Sequence, residues 1–206
     1  LRAASSTIII QKGQEKVKEI TFDDRQDGLA GVDLTILADH ITRGGLSDMV
    51  WQQEPELILW FVHTDGRLIG LTYDRANNAV GWHTHPLGGS ATVESITAIP
   101  SGSEDQVYLS VKRTINSATV RHIVYLKSVN FGTDINDAFF LDSGLTYSDG
   151  ATTTISGLHH LEGETVSILA DGSSHADKTV SGGSISLDRS SSKVHIGYSY
   201  TSLVQT

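Results

Sequence analysis

Hydrophobic and polar residues alternate with a period of two through much of the chain, the spacing of a strand that buries one side. The clearest passage is Leu57 to Pro86, LILWFVHTDGRLIGLTYDRANNAVGWHTHP. Leu57 to His63 is apolar at both parities, with Leu57, Leu59 and Phe61 against Ile58, Trp60 and Val62, which predicts a central strand covered on both faces. Asp65-Gly66 is a two-residue hairpin signal, because a type I′ turn needs positive φ. The chain then returns as Arg67 to Asp74, turns at Asn77-Asn78 and goes out again as Ala79 to His85, and Pro86 with Gly88-Gly89 closes the meander. Upstream, Val17, Glu19 and Thr21 alternate with Lys18, Ile20 and Phe22, a strand with one buried side. Ile8 to Ile10 reads as a strand or an arm, and DDRQDG as a loop.

One segment changes period. Leu34, Leu37, Ala38 and Ile41 fall at i, i+3, i+4 and i+7, Asp33 suits an N-cap and Arg43-Gly44-Gly45 a C-terminus, so a helix is predicted over about 33–43. Further strands are expected at Ala91 to Ile99, Gln106 to Ile115 and Thr119 to Lys127. Placing Trp60 on Leu109 superimposes ELILWFVH on DQVYLSVK and RLIGLTYD roughly on TVRHIVYL. A period near ~50 residues with about four strands per unit is that of propeller blades.

After Asn130 the composition turns to Ser, Thr, Gly and Asp. Residues 131–206 hold 3 basic and 9 acidic side chains against 12 and 15 in residues 1–130. Short strands are expected at Thr165 to Ala170, Lys178 to Val180, Ser184 to Asp188 and Lys193 to Tyr200, with turns at Asp171-Gly172 and Gly182-Gly183. The resulting fold class is mainly β: propeller-like antiparallel meander sheets with one short helix in residues 1–130, an incomplete part of a larger domain, then a small β-barrel or sandwich in 131–206.

Totals remove several function classes. Fifteen basic against 24 acidic residues give a net charge of −9, which repels phosphate backbones and argues against direct nucleic-acid binding. No run nears the roughly 18 apolar residues of a membrane helix, so membrane insertion is not expected. Zero cysteines exclude disulfides, thiolate metal sites and cysteine nucleophiles. The chain starts with Leu, and LRAASSTIII lacks the basic start, long apolar core and cleavage site of a signal peptide, so it reads as a fragment of a longer polypeptide.

The candidate chemistry is His83-Thr84-His85-Pro86. Residues i and i+2 on a strand share a face, and two imidazoles with a carboxylate are enough for catalytic zinc. GWHTHPLGGSATVE resembles the core of the JAMM metalloproteases, which would make this a zinc-dependent peptidase using His83 and His85, with Glu54 or Glu56 as the upstream acid. The segment departs from that pattern. Ser90 follows too early, Val93 stands where the metal-binding Asp belongs, and Glu94 is one place late. The alternation instead points Trp82 into a core and sets His83 and His85 on the solvent or interface side.

His159-His160 with Glu162 and Glu164 reads as a surface loop, since adjacent strand residues face opposite ways. Asp134, Asp137 and Asp142 are spaced too widely for a calcium loop. The serines lack a nucleophile elbow, and the double glycines open no helix that would cradle phosphate. Catalytic, cofactor-binding and metal-ligating residues are therefore assigned as none. The aromatics Trp51, Trp60, Trp82, Tyr198 and Tyr200 leave a third reading, a host-glycan-binding module, although strand periodicity turns Trp60 and Trp82 inward.

Several stretches together resemble a family of bacteriophage tail proteins of the tail tubular or nozzle type: DLTILADHITRGG, MVWQQEPELILWFVHTDGRLIGLTYDR, VKRTINSATVRHIVYL, LDSGLTYSDGATTTISGLHHLEGETVSILADG, VSGGSISLD and KVHIGYSYTS. They run in order from about Lys16 to Thr206. The resemblance implies a virion structural protein rich in β-structure with propeller-like portions, with more chain on both sides and no catalytic residues. Its implied partners are other phage tail proteins and copies of itself, and its implied location is the phage tail. From about Leu145 the pattern is also similar to the small β-barrel of the first catalytic-cysteine half-domain of ubiquitin-activating enzymes, a likeness of fold alone in a chain without cysteine.

Overall fold

The computed structural model describes residues 1–4, 6–24 and 27–202, so the expected loop at 23–28 lies partly outside the described residues. The protein is mainly β, with four antiparallel sheets and one short α-helix among the described residues. It divides into two compact units: Leu1–His85, Thr92–Val111 and His122–Leu126 form the first, and Pro86–Ala91, Lys112–Arg121 and the described residues from Lys127 onward form the second.

In the first unit, β1 (Arg2–Ala3), β2 (Ser6–Ile10), β3 (Val17–Asp23) and β4 (Gly28–Asp33) make one up-and-down sheet in chain order. A second follows in the same manner from β5 (Leu46–Gln52), β6 (Ile58–His63), β7 (Leu68–Asp74) and β8 (Ala79–His85). Ala3, Ile8, Val17 and Leu34 pack with Leu59, Phe61, Ile69, Leu71 and Tyr73 as one core between these sheets. Trp60, Val62 and Leu68, on the opposite parity, are buried as well. The β6 strand is thus covered on both faces, which is why its sequence is apolar throughout.

The third sheet comprises β9 (Thr92–Ser101), β10 (Glu104–Ile115) and β11 (Ala118–Tyr125), with β10 in the middle. Strand β9 runs against β5 and β6, with the Ile96 amide donating to the Asp48 carboxylate. The Trp60-to-Leu109 alignment sets β6 on β10, the second strands of two consecutive meanders.

The helix is much shorter than the predicted 33–43: α1 covers only Asp39–Thr42. Asp33 is the last residue of β4 rather than an N-cap, and its carboxylate accepts from both the amide and the hydroxyl of Thr35. That local bond holds a turn which competes with helix. Ile36 and Leu37, which a helical stripe would have helped bury, stand 71% and 91% exposed.

Strand β3 has one buried side, the one that carries Val17 and Glu19. Val17 and Glu19 are buried, whereas Phe22 is 60% exposed and its cross-strand neighbour Leu29 is 76% exposed.

The second unit is built on β12 (Asp142–Ser156), β13 (Thr165–Ala170), β14 (Ser173–Thr179) and β15 (Ser184–Tyr198), hydrogen-bonded in the order β12-β15-β13-β14. Strand β15 is continuous where the sequence suggested two short strands. Register shifts in its pairing with β12 between Ser148 and Thr154 carry the ladder through the polar run Asp188 to Ser192. The sheet packs on a core of Ile155, Leu158, Val166, Ile168, Val194 and Ile196, joined by Ile115. None of the four sheets closes on itself among the described residues.

Candidate functional site

The paired histidines sit at the end of β8, the strand at the edge of its sheet. Alternation sends Trp82 toward the core, where its ring lies 5.3 Å from Phe61 and its indole N–H donates to the Leu34 carbonyl. His83 and His85 take the opposite face. Ladder pairing aligns Trp60, Gly70 and His83 across three strands and puts His85 beside Leu68. Gly70 makes this row possible: a Cβ there would lie 2.0 Å from Cε1 of His83, so the imidazole occupies the space a side chain would fill. The Trp60 ring centroid is 4.9 Å from that of His85 and 5.9 Å from that of His83. The histidines are therefore half-buried against an indole.

His83 Nδ1 and His85 Nε2 are 2.6 Å apart, and Thr72 Oγ1 is 3.3 Å from His83 Nε2. Burial lowers the pKa of His83; burial, followed by the repulsion of His83, brings His85 down to about 4. Both rings are neutral at physiological pH, and one donates its N–H to the lone pair of the other. Two imidazoles fall short of the three-ligand donor set of catalytic zinc. Among the described residues no three His, Asp or Glu side chains gather to hold an ion. Glu54, Glu56 and Glu94 are all exposed.

The remaining sequence candidates are separated by the fold and tied to structural partners. Glu162 accepts the amides of Gly182 and Gly183 at 2.9 and 2.7 Å and clamps that turn. His159 packs where a Cβ of Gly183 would stand, and His160 Nε2 is 3.0 Å from the Ser143 carbonyl. Asp134 accepts from Asn136, Asp137 pairs with Lys193, and Asp142 pairs with Arg113, so the three carboxylates serve different contacts. Of the aromatics, Trp60 and Tyr198 are buried, Trp51 and Trp82 pack against the first core, and Tyr200 is exposed.

Two buried charge clusters escaped the sequence reading. In the first unit Glu19, 3% exposed, accepts from the Ser6 hydroxyl and pairs with Arg75 at 2.9 Å. In the second, the Arg113 side chain is wholly buried, pairs with Asp142 at 2.8 Å and donates to the Gly88 carbonyl, while the Gly88 amide returns to Asp142 at 2.6 Å. Gly88 and Gly89 lie so close to Tyr198 that a Cβ at either would be 2.5 or 2.7 Å from it. Burial, then the neighbouring Glu164, pushes the Tyr198 phenol up to about 12, and Arg113 lies over its ring. The available signal was a charge at an inward position of an otherwise apolar alternation: Glu19 between Val17 and Thr21, Arg113 between Val111 and Ile115.

Compared with known proteins, the chain matches no family and no curated protein sequence.

Proposed function

We propose that this chain is a non-enzymatic structural component of a bacteriophage tail, acting in tail assembly through contacts with copies of itself or with other tail proteins. The observation that carries the reading is the engagement of its potentially reactive side chains. His83 is bonded to His85, Glu162 to a glycine turn, and Asp142 to a buried arginine and a backbone amide. Each holds strands or turns together. The ordered resemblance to tail proteins and the succession of antiparallel meanders support the same reading.

Neither competing reading gains a specific observation. The JAMM-like peptidase needs a carboxylate beside His83 and His85, where Thr72 and Trp60 stand. A glycan platform needs exposed rings, and Trp60 and Tyr198 are in cores. The test is mass spectrometry of purified particles with antibody labelling of the intact full-length polypeptide. The expected result is a stoichiometric virion protein with label on the tail. Its absence from purified particles overturns the proposal.

A further inference from the structure

The sheet β1–β4 carries large apolar side chains on both sides, and on one of them they are exposed. Its inner side, with Ile8 and Val17, closes the first core. Its outer side carries Ile9, Ile20, Phe22 and Leu29, of which Ile9, Phe22 and Leu29 are 37%, 60% and 76% exposed. The same alternation that buries the Glu19 carboxylate turns Phe22 outward. Shifting the register by one residue would exchange the two sides. A strand that buries a carboxylate on one side while leaving a phenylalanine and its leucine neighbour exposed on the other presents a surface suited to being covered.

The register of the face identifies the cover. Along the β3–β4 ladder the outward pairs are Lys18 with Asp33, Ile20 with Gly31, and Phe22 with Leu29. Each pair joins complementary members: a cation and an anion, a large side chain and none, an aromatic and an aliphatic. A two-fold axis lying along the strands between β3 and β4 sets β3 of one molecule over β4 of another. Lys18 then meets Asp33 of the second copy, and Phe22 meets its Leu29. This is the self-complementarity of an isologous contact between aligned sheets. Charge complementarity is local to the open end of the hairpin, where Lys18 of one copy stands against Asp33 of the other, within a chain of net charge −9.

We propose that the outer face of β1–β4 is an interface between two copies of this chain, with Phe22 and Leu29 as its main apolar contact and Lys18 and Asp33 as its charged one. The inference deepens the assembly reading above by naming one surface and one partner, and it rests on that reading only for its biological setting. Sedimentation velocity over a concentration series reaching the millimolar range tests it. The expected result is a reversible monomer–dimer equilibrium that tightens with added salt as the net repulsion is screened. Phe22→Glu should raise the dissociation constant by about tenfold or more. Phe22 is exposed in the single molecule, so an unchanged circular dichroism spectrum is expected and separates loss of contact from loss of fold.

The chain has no cysteine, so introduced thiols report geometry cleanly. Mixing Phe22→Cys with Leu29→Cys protein should give more cross-linked dimer than either alone. A protein that stays monomeric throughout the series, whether or not another tail protein binds the face, overturns the second-copy assignment. That result would leave the virion proposal standing, because particle composition tests it separately.

Discussion

Strands β3 and β10 follow the same rule and reach opposite outcomes. Both alternate, and each fully buries one charged residue. In β10, Val107, Leu109, Val111 and Ile115 accompany Arg113 inward, and polar residues such as Gln106, Ser110 and Lys112 take the other side. In β3, Val17 accompanies Glu19 inward, while Ile20 and Phe22 take the outside. The partners differ as well: Arg113 is wholly buried beside a mostly buried Asp142, whereas Arg75, the partner of Glu19, is half exposed. The β10 strand keeps its aliphatic side chains inward, and its other side carries Tyr108 beside Tyr125 among polar residues. The β3 arrangement leaves apolar surface that only another surface can cover.

Removing one member of each cluster should separate the two strands most sharply. Arg113→Met leaves Asp142 short of its cation in a dry setting and is expected to cost roughly 3–5 kcal/mol, read from urea denaturation. A loss below ~1 kcal/mol would break the contrast with β3, because the buried arginine would then hold nothing together.

Next in size is the acid response of His83 and His85, which are buried as neutral rings rather than as half of an ion pair. Their folded pKa values are lowered, so the unfolded chain takes up protons first and stability falls as pH drops from 6.5 toward about 4. The His85 contribution is at most ~3 kcal/mol. Denaturation midpoints measured across that window should fall in the native protein and flatten in His85→Phe.

Glu19→Gln keeps an acceptor for Ser6 and leaves Arg75 free to face water, so its cost is expected near ~1 kcal/mol. A cost matching that of Arg113→Met would show that the two clusters are equally buried in effect. Smallest of all, Phe22→Glu should change the stability of the dilute monomer by no more than ~0.5 kcal/mol.

Strand positions were legible where apolar and polar residues alternate cleanly or where a whole strand is apolar. Ala79–His85 falls where the alternation put it, and Leu57–His63 and Gln106–Ile115 fall within two residues. Strands β1, β4, β5, β12 and most of β14, which covers Ser173–Thr179 rather than Lys178 to Val180, were not anticipated. Gly28–Asp33 has few large side chains, and Asp33 also fits the start of the helical period that followed it. Leu46–Gln52 mixes polar and apolar residues and is mostly half-buried. Asp142–Ser156 is rich in Ser, Thr and Gly and keeps its pairing through irregular register rather than through alternation. The helix was overextended because four apolar positions matched its period while the Asp33 carboxylate was bonded to Thr35.

The histidine pair was legible as a pair, and Trp82 as an inward residue. Its embedding was not, since Gly70 and Trp60 reach it only through cross-strand register. The outward turn of Phe22 was equally hidden. The alternation of β3 shows two sides but does not say which one is covered, and the apolar side would have been the natural choice.

The central claim is that the apolar outer face of β1–β4 exists to be covered by a second copy. Hydroxyl-radical footprinting at low and high protein concentration, read by mass spectrometry at single side chains, tests it most directly. Phe22 and Leu29 should lose reactivity at high concentration, while the exposed Ile123 and Tyr125 of β11 keep theirs. Equal reactivity of Phe22 and Leu29 at both concentrations would contradict the claim.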